Sequence, residues 1–223
     1  MSVREGGGSR FAWIALEAAL IVFGAGVAYL AAEWQQDRQE AREVVAAFEA
    51  IVDELGENRR LMADARDKHV AISQLLSPYA YGGASGDPPV YQAFQSGFYQ
   101  GAQPYWTAWE TAQAVGTLAH FDDLSAVLSI SRRYDELESY EESSRPIGEI
   151  IYREMYDGGA GRVYENWRGM LSLIQTSLFR ECELVRSIDA LFVDLEIPAE
   201  DRPAEASPDS QRFCEGMLSQ AGR

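Results

Sequence analysis

Residues 11–32 constrain the fold of this chain most, because they form an apolar run with a single charge, Glu17. As a helix this run extends about 33 Å at 1.5 Å per residue, which matches the roughly 30 Å hydrocarbon core of a bilayer. Trp13 lies near one end, and Tyr29 and Trp34 lie near the other, where aromatic side chains prefer the membrane interface. The sequence therefore predicts a transmembrane helix over residues 11–32.

A cleaved signal peptide is the alternative interpretation of this run, and a small-residue site at Gly26-Val27-Ala28 is compatible with it. The apolar region of a signal peptide is usually only about 7–15 residues long. Here the helical pattern continues past residue 32 without a helix breaker. We therefore expect an uncleaved anchor.

The flanks of the run predict its orientation. The leader, residues 1–10, carries Arg4, Arg10 and the α-amino group, whereas Arg38 and Arg42 flank the far side. Positive groups are enriched on the cytoplasmic side of membrane helices. This bias predicts a bacterial inner-membrane protein with a cytoplasmic N-terminus and a periplasmic C-terminal domain.

Charge is concentrated beyond the predicted anchor. The chain has 19 basic and 35 acidic residues, a net charge of −16, and the charges before residue 33 cancel. Binding to nucleic acid needs a cationic surface, so we expect no nucleic-acid partner. Hydrophobic residues make up 47% of the chain, which is enough apolar surface for a folded acidic domain.

A long helix is predicted to follow the anchor, because no proline occurs between Phe11 and Ser77. Apolar positions repeat in sevens from Ala41, a spacing typical of bundles and coiled coils. The two polar positions in this pattern, Asn58 and His69, either set the register or reach solvent at the bundle's edge. The two series are Ala41, Phe48, Leu55, Met62, His69, Leu76 and Val44, Ile51, Asn58, Ala65, Ile72.

The remaining sequence shows no sustained strand alternation, so the predicted fold is all-α: the anchor continues into a long helix within an up-and-down helical bundle. The predicted segments are residues 1–10 (leader), 11–32 (transmembrane helix), 33–77 (long helix or stalk) and 78–223 (the rest of the domain). Further predicted features are a loop at 77–90 and a capping box at Thr107–Glu110 that opens a helix towards Leu118. Asp122 or Asp123 is predicted to cap a helix whose inner face carries Leu124, Val127, Leu128, Tyr134 and Leu137. After it come a short helix that starts at Pro146, a long helix from Val163 to Leu195, and a terminal helix that starts at Ser207-Pro208-Asp209.

Three groups of residues are candidates for function. Gly24, Ala28 and Ala31 lie on one helix face within about 40° of Glu17, which suggests a helix–helix contact in the membrane. Alternatively, Glu17 simply snorkels to the interface. Nine aromatic residues occur between positions 79 and 109. These include Tyr99, Tyr105, Trp106 and Trp109, which form either a partner or ligand surface or the core beneath a long loop.

Cys182 and Cys214 are the third group, and they lie on two predicted helices joined by a proline-bearing connection. They form either a disulfide, in an oxidising compartment, or two buried thiols. His120 with Asp122 and Asp123 is too weak a pattern to predict a metal site, and the acidic cluster at 135–142 is interpreted as a solvated helix face. No zinc-protease, nucleophile-elbow or phosphate-loop motif is present, so we expect no cofactor, no metal and no enzymatic activity.

Three places in the chain resemble uncharacterised bacterial single-pass membrane proteins of the DUF6090 type. They are Trp34 with Asp37-Arg38 after the anchor, Asp53–Asn58 in the long helix, and Trp109-Glu110 through Val115–Leu118 to Asp123-Leu124, Leu128 and Tyr134. Gln35 departs from the asparagine that is common there. The resemblance implies membrane anchoring and a helical architecture but no activity.

The predicted function is that of a non-enzymatic accessory or scaffold subunit. Its predicted partners are the lipid bilayer and either another membrane protein or a second copy of the chain. The alternative is an extracytoplasmic module that binds a ligand or glycan through the aromatic region at 79–109.

Overall fold

The computed structural model describes residues 7–83, 101–121, 123–156, 167–203 and 208–221. Side chains are described in these ranges except at 7–12, 14–16, 18, 19, 152–156, 220 and 221. Every regular element among the described residues is helical, which confirms the predicted all-α class. The helices are α1 (Gly7–Ala80), α2 (Thr107–Ala114), α3 (Leu124–Tyr156), α4 (Trp167–Asp194) and α5 (Pro208–Ala221), with short 3₁₀ helices at Thr117–His120 and Ala199–Asp201.

The chain divides after Phe48 into two compact units. The first unit contains the N-terminal part of α1, where the large apolar side chains are exposed. Leu20, Ile21, Val22 and Phe23 are each at least 63% exposed, and four consecutive positions cover the full circumference of a helix at 100° per residue. Among the described residues, no helix contains a stretch both long enough and apolar enough to cross a membrane.

The second unit, residues 49–223, is a helical bundle with its own apolar core. Heptad positions of α1 from Ile51 to Leu76 are buried, which confirms the seven-residue pattern over this range. One core cluster joins three helices through Leu76 of α1, Ile151 of α3 and Ile174 of α4, each at most 1% exposed. Full burial of such a side chain stabilises a fold by roughly 1.5–3 kcal/mol.

Helices α1 and α3 run in the same direction. Tyr134, near the start of α3, hydrogen-bonds Glu54 of α1, and Ile151, near the end of α3, packs with Leu76. The predicted up-and-down order is therefore wrong for this pair. The physical reason is that Tyr105, which precedes α2 and α3 in the chain, already lies beside Asn58, about six turns before the end of α1.

Helix α4 runs opposite to α1, as two contacts at its ends indicate. Arg168, at the start of α4, donates to the carbonyl of Ala80 at 2.6 Å. Asp189, near its end, pairs with Arg59 at 2.8 Å.

Two prolines lie inside helices rather than at their ends. Helix α1 continues through Pro78 to Ala80, and α3 continues through Pro146, so the short helix predicted to start there is part of α3. Proline removes one hydrogen bond from a helix. Both prolines are exposed. Near them, Leu76 and Ile151 pack in one core cluster and hold α1 and α3 together.

Helix α2 ends at Ala114, earlier than predicted, because Gly116 adopts a positive φ of 76° that a helix does not permit. The chain then enters α3 with Leu124 and Leu128 exposed at 68% and 61%. The prediction that these two leucines face the core is wrong. The prediction is confirmed at Tyr134 and Leu137, which are buried together with Ile130.

Asp123 caps the N-terminus of α3, as one of the two predicted candidates. Its Oδ1 accepts hydrogen bonds from the backbone N–H groups of Ser125 (2.8 Å) and Ala126 (3.2 Å), and from the Ser125 hydroxyl (2.7 Å). These bonds, led by the one from the hydroxyl, lower the pKa of Asp123. The cap therefore favours the ionised carboxylate.

We expect Asp123→Ala to lower the melting temperature at neutral pH by a few degrees, because two helix N–H groups lose their acceptor. The folded-state pKa is depressed, so this stabilisation is complete above the ordinary aspartate pKa of about 3.9 and is lost as pH falls through the lower folded value. Thermal unfolding of both proteins from pH 7 to pH 3 should show the difference shrinking. Asp135→Ala, an exposed change within α3, should show no such trend, and an equal pH dependence in both variants would contradict the capping role.

Candidate functional site

The bundle buries a line of polar side chains on the inner face of α1. Asn58, Arg59, Arg66 and His69 are each at most 4% exposed. A buried polar group is destabilising unless it is hydrogen-bonded, so the partners of these side chains determine how the bundle is assembled.

Glu54, one turn before Asn58, holds helix α2 in place. Its carboxylate accepts hydrogen bonds from the backbone N–H groups of Ala108 (2.8 Å) and Trp109 (3.3 Å). These are donors of the first turn of α2, which have no partner within the helix. The predicted capping box is therefore wrong: Thr107 lies inside the helix, Trp106 at the N-cap makes no side-chain cap, and a carboxylate from another helix replaces it.

The same carboxylate accepts a hydrogen bond from the Tyr134 hydroxyl at 2.7 Å. Burial, together with the bond to Glu54, raises the pKa of Tyr134 far above its ordinary value, so the hydroxyl remains a donor. The Tyr134 ring stacks on Trp109 with centroids 5.0 Å apart and an angle of 10° between the planes. Glu54, Trp109 and Tyr134 thus join α1, α2 and α3 at one point.

Asn58 holds the backbone segment that leads into α2. Its amide nitrogen donates to the Tyr105 carbonyl (2.9 Å), and its Oδ1 accepts from the Tyr105 N–H (2.7 Å). Asn58 is fully buried, so it lies within the bundle and not at its solvent edge. This reciprocal pair specifies one register of the chain against α1.

His69, Glu181 and Tyr140 form a second buried cluster, one residue from each of α1, α4 and α3. Glu181 is fully buried, with Oε2 2.8 Å from Nδ1 of His69 and Oε1 accepting from the Tyr140 hydroxyl at 2.8 Å. His69 is 1% exposed and Tyr140 2%. The cluster therefore joins α1, α3 and α4 at one buried point.

The predicted aromatic surface is only partly accessible. Trp109 is 7% exposed and belongs to the core, so its assignment to a partner surface is corrected; its packing on Tyr134 is the reason. Trp106 is half-buried, with its ring 6.1 Å from that of Tyr134. Tyr105 is 51% exposed, and Tyr99 lies outside the described residues.

The residues of the predicted membrane contact face, Glu17, Gly24, Ala28 and Ala31, are all exposed. A Cβ atom placed on Gly24 would meet no atom within 4 Å. The face is therefore open to a neighbour in this structure, and its role remains a prediction.

Cys182 of α4 and Cys214 of α5 are joined by a disulfide bond, with Cα atoms 5.6 Å apart. Around this bond Val70 and Leu178 are buried, and Phe213 packs against them. The disulfide and this cluster attach α5 to the bundle.

His120 is exposed, and Asp122 lies outside the described residues. In the described ranges, no three histidine, cysteine, aspartate or glutamate side chains are grouped closely enough to hold a metal ion. In the acidic cluster Asp135, Glu138 and Glu142 are exposed, as a solvated helix face requires.

Glu54 and Glu181 are organising residues that the sequence patterns above do not predict. Glu181 lies three residues after Leu178 and four before Val185, so its helix position is that of a core residue. Glu54 precedes Asn58 by four residues and shares its face. A carboxylate in the apolar stripe of a helix was the available signal in both cases.

Comparisons with models of known families, with curated proteins and with solved structures found no match for this chain. Two of the three places named in the sequence lie together in the second unit. Glu54 and Asn58 come from one and Trp109 and Tyr134 from the other, and Glu54 bonds to both Trp109 and Tyr134. These contacts attach α2 to the bundle.

Proposed function

We propose that this chain is a single-pass membrane protein that works, without catalysis, as an accessory or scaffold subunit with its helical bundle in the periplasm. The observation that carries the proposal is an apolar helix with exposed side chains in a chain whose other unit has a complete core. In a soluble helix, such side chains would be turned towards a core.

The apolar run at 11–32 supports the membrane assignment. Seven of its 22 residues have side chains outside the described part of the chain. Those that are described include Leu20 and Phe23 at 63% and 72% exposure. At the far end, the Arg38 guanidinium lies 3.8 Å from the centre of the Trp34 ring, a pairing suited to an interface where both side chains meet lipid headgroups.

The Cys182–Cys214 disulfide supports a periplasmic bundle. Disulfides persist in oxidising compartments and are rare in the bacterial cytoplasm. The positive groups of the leader, Arg4 and Arg10, favour the same orientation.

The orientation predicts the redox state of the two cysteines in cells. When cells are lysed in denaturant with a maleimide polymer and no reductant, we expect no mass shift, because both sulfurs are bonded. Prior reduction should add two polymers. Labelling of both cysteines without reduction would contradict the periplasmic orientation, and a Cys182→Ser variant, which should gain one polymer, verifies that the reagent reaches the chain.

The membrane contact face supports the accessory role. A carboxylate in an apolar span is stabilised by a partner, and small residues allow helices to approach closely in lipid. Gly24 lies on this face with Glu17, whereas Gly26 lies 200° further round the helix. Neither glycine has an atom within 4 Å of a Cβ placed on it.

These two glycines give a matched test. We expect Glu17→Leu and Gly24→Leu to remove a co-purifying membrane protein, or self-association, from the detergent-solubilised chain, while Gly26→Leu retains it. Affinity purification followed by mass spectrometry and native electrophoresis measures both. Identical complexes from all three variants and the wild type would overturn the accessory role of this face.

A further inference from the structure

A cleft lies at the junction of α1, α4 and α5, within the bundle. Its volume is about 640 Å³, in the range of small-molecule sites. Arginine side chains from two helices line it, Arg59 and Arg66 from α1 and Arg186 from α4. Its apolar wall includes Val185 and Leu218.

Arg66 is the unusual member of this set. Its side chain is 3% exposed, yet within the described residues its hydrogen-bond acceptor is a single oxygen, Oδ1 of the adjacent Asp67. That oxygen accepts from Nε at 3.0 Å and from Nη2 at 2.8 Å. Nη1, which carries two more N–H groups, has no acceptor in this part of the chain. Within the described residues, the one fully buried side-chain donor without a partner is Nε of Arg133, so Nη1 of Arg66 keeps some solvent contact and its two N–H groups are open to a ligand.

Arg59 lines the same cleft, and its guanidinium has a carboxylate partner. Its Nε and Nη2 donate to the two oxygens of Asp189 at 2.8 and 3.1 Å, the fork-to-fork pairing that suits a carboxylate. Arg66, two turns further along α1, has no such partner across the cleft. Helix α1 therefore brings a second guanidinium to the cleft, but α4 brings no second carboxylate opposite it.

Among the charges of the cleft, Arg186 is the arginine that an anion can reach. Three arginines line the cleft, and the carboxylates at or beside it are Asp189 and Glu215, which line it, and Asp67, which is bonded to Arg66. Asp189 is already used by Arg59, and Glu215 and Arg186 are both exposed. Arg186 has no ion-pair partner among the described residues, so its charge is available at the rim.

We propose that this cleft binds a small organic anion, with its carboxylate or phosphate oxygens on Nη1 of Arg66 and on Arg186. The apolar part of the ligand then lies against Val185 and Leu218. The site is independent of the membrane contact face and adds ligand binding to the proposed accessory function.

Thermal unfolding of the full chain in a non-ionic detergent tests this site. The probes are sodium phosphate, sodium acetate and sodium butyrate, each compared with sodium chloride at the same ionic strength. At about ten times the dissociation constant, we expect the melting temperature to rise by about 3–6 °C, saturably. A rise with phosphate but not with the carboxylates assigns a phosphate ligand. A rise with the carboxylates but not with phosphate assigns a carboxylate ligand, and butyrate should then bind more tightly than acetate.

Variants separate binding in the cleft from general salt effects, which stabilise any protein. We expect Arg66→Met and Arg186→Ala to abolish the saturable rise, and Arg212→Ala, an exposed arginine of α5 in a pair with Asp209, to retain it. Arg186 is exposed, so its variant remains informative if Arg66→Met fails to fold. A rise that is absent from the wild type, or that is unchanged in Arg186→Ala, would overturn the proposal.

Discussion

Replacing Glu181 with leucine is expected to destabilise the bundle by about 3–5 kcal/mol, the usual loss when one member of a buried polar pair is removed. Glu181 is fully buried and contacts both His69 and Tyr140. Without it, the Nδ1 of His69 and the hydroxyl of Tyr140 lose a common partner in a medium that cannot replace it with water. Since a domain is stable by only about 5–15 kcal/mol, this change removes much of the total.

Denaturant unfolding followed by circular dichroism measures the loss. Glu183→Leu is the matched control, because Glu183 is exposed on the same helix two residues away, and we expect it to change the free energy of unfolding by less than about 0.5 kcal/mol. Glu181→Gln keeps the shape of the side chain and offers one acceptor and one donor, so its loss of free energy of unfolding should lie between those of the two leucine variants. A loss below about 1 kcal/mol for Glu181→Leu would show that the three helices do not depend on this junction.

Replacing Glu54 with alanine is expected to release α2 and to destabilise the bundle by about 2–3 kcal/mol, since bonds to a charged acceptor are the stronger kind. Helix α2 has only eight residues, too few to be stable alone. Its first-turn N–H groups at Ala108 and Trp109 depend on this carboxylate.

Hydrogen–deuterium exchange locates this effect within the chain. We expect peptides covering 107–114 to lose most of their protection in Glu54→Ala, while peptides in α4 change little. Glu57→Ala, which removes an exposed pair with Arg60, should leave the exchange of α2 unaltered. Tyr134→Phe removes one of the three bonds and should give a smaller loss, and uniform deprotection of the whole bundle would argue against a local role.

The helical class and the inner face of α1 were predictable from the sequence, because period and burial are local properties of a chain. Leu55, Met62 and Leu76 occupy core positions that the seven-residue repeat specifies. Leu124 and Leu128 were mispredicted because, at 100° per residue, they lie about 120° and 160° round α3 from the buried Ile130, on its outer face.

The polar junctions could not be predicted, because their members are far apart in sequence. His69 and Glu181 are separated by 112 residues and Arg59 and Asp189 by 130, so neither spacing forms a motif. For the first pair the sequence did contain one half, His69, a polar residue at a core position of α1. Its partner, Glu181, could be recognised only as another polar residue at a core position, on a different helix.

The same separations determine when this protein can fold during its synthesis. Arg59 and His69 leave the ribosome before α4 exists, and chains grow at about 5–20 residues per second. The inner face of α1 therefore waits on the order of 6–25 s for its polar partners. Throughout that interval water hydrates these polar groups, and the apolar face of α1 stays exposed because the helices that cover it have not yet been made.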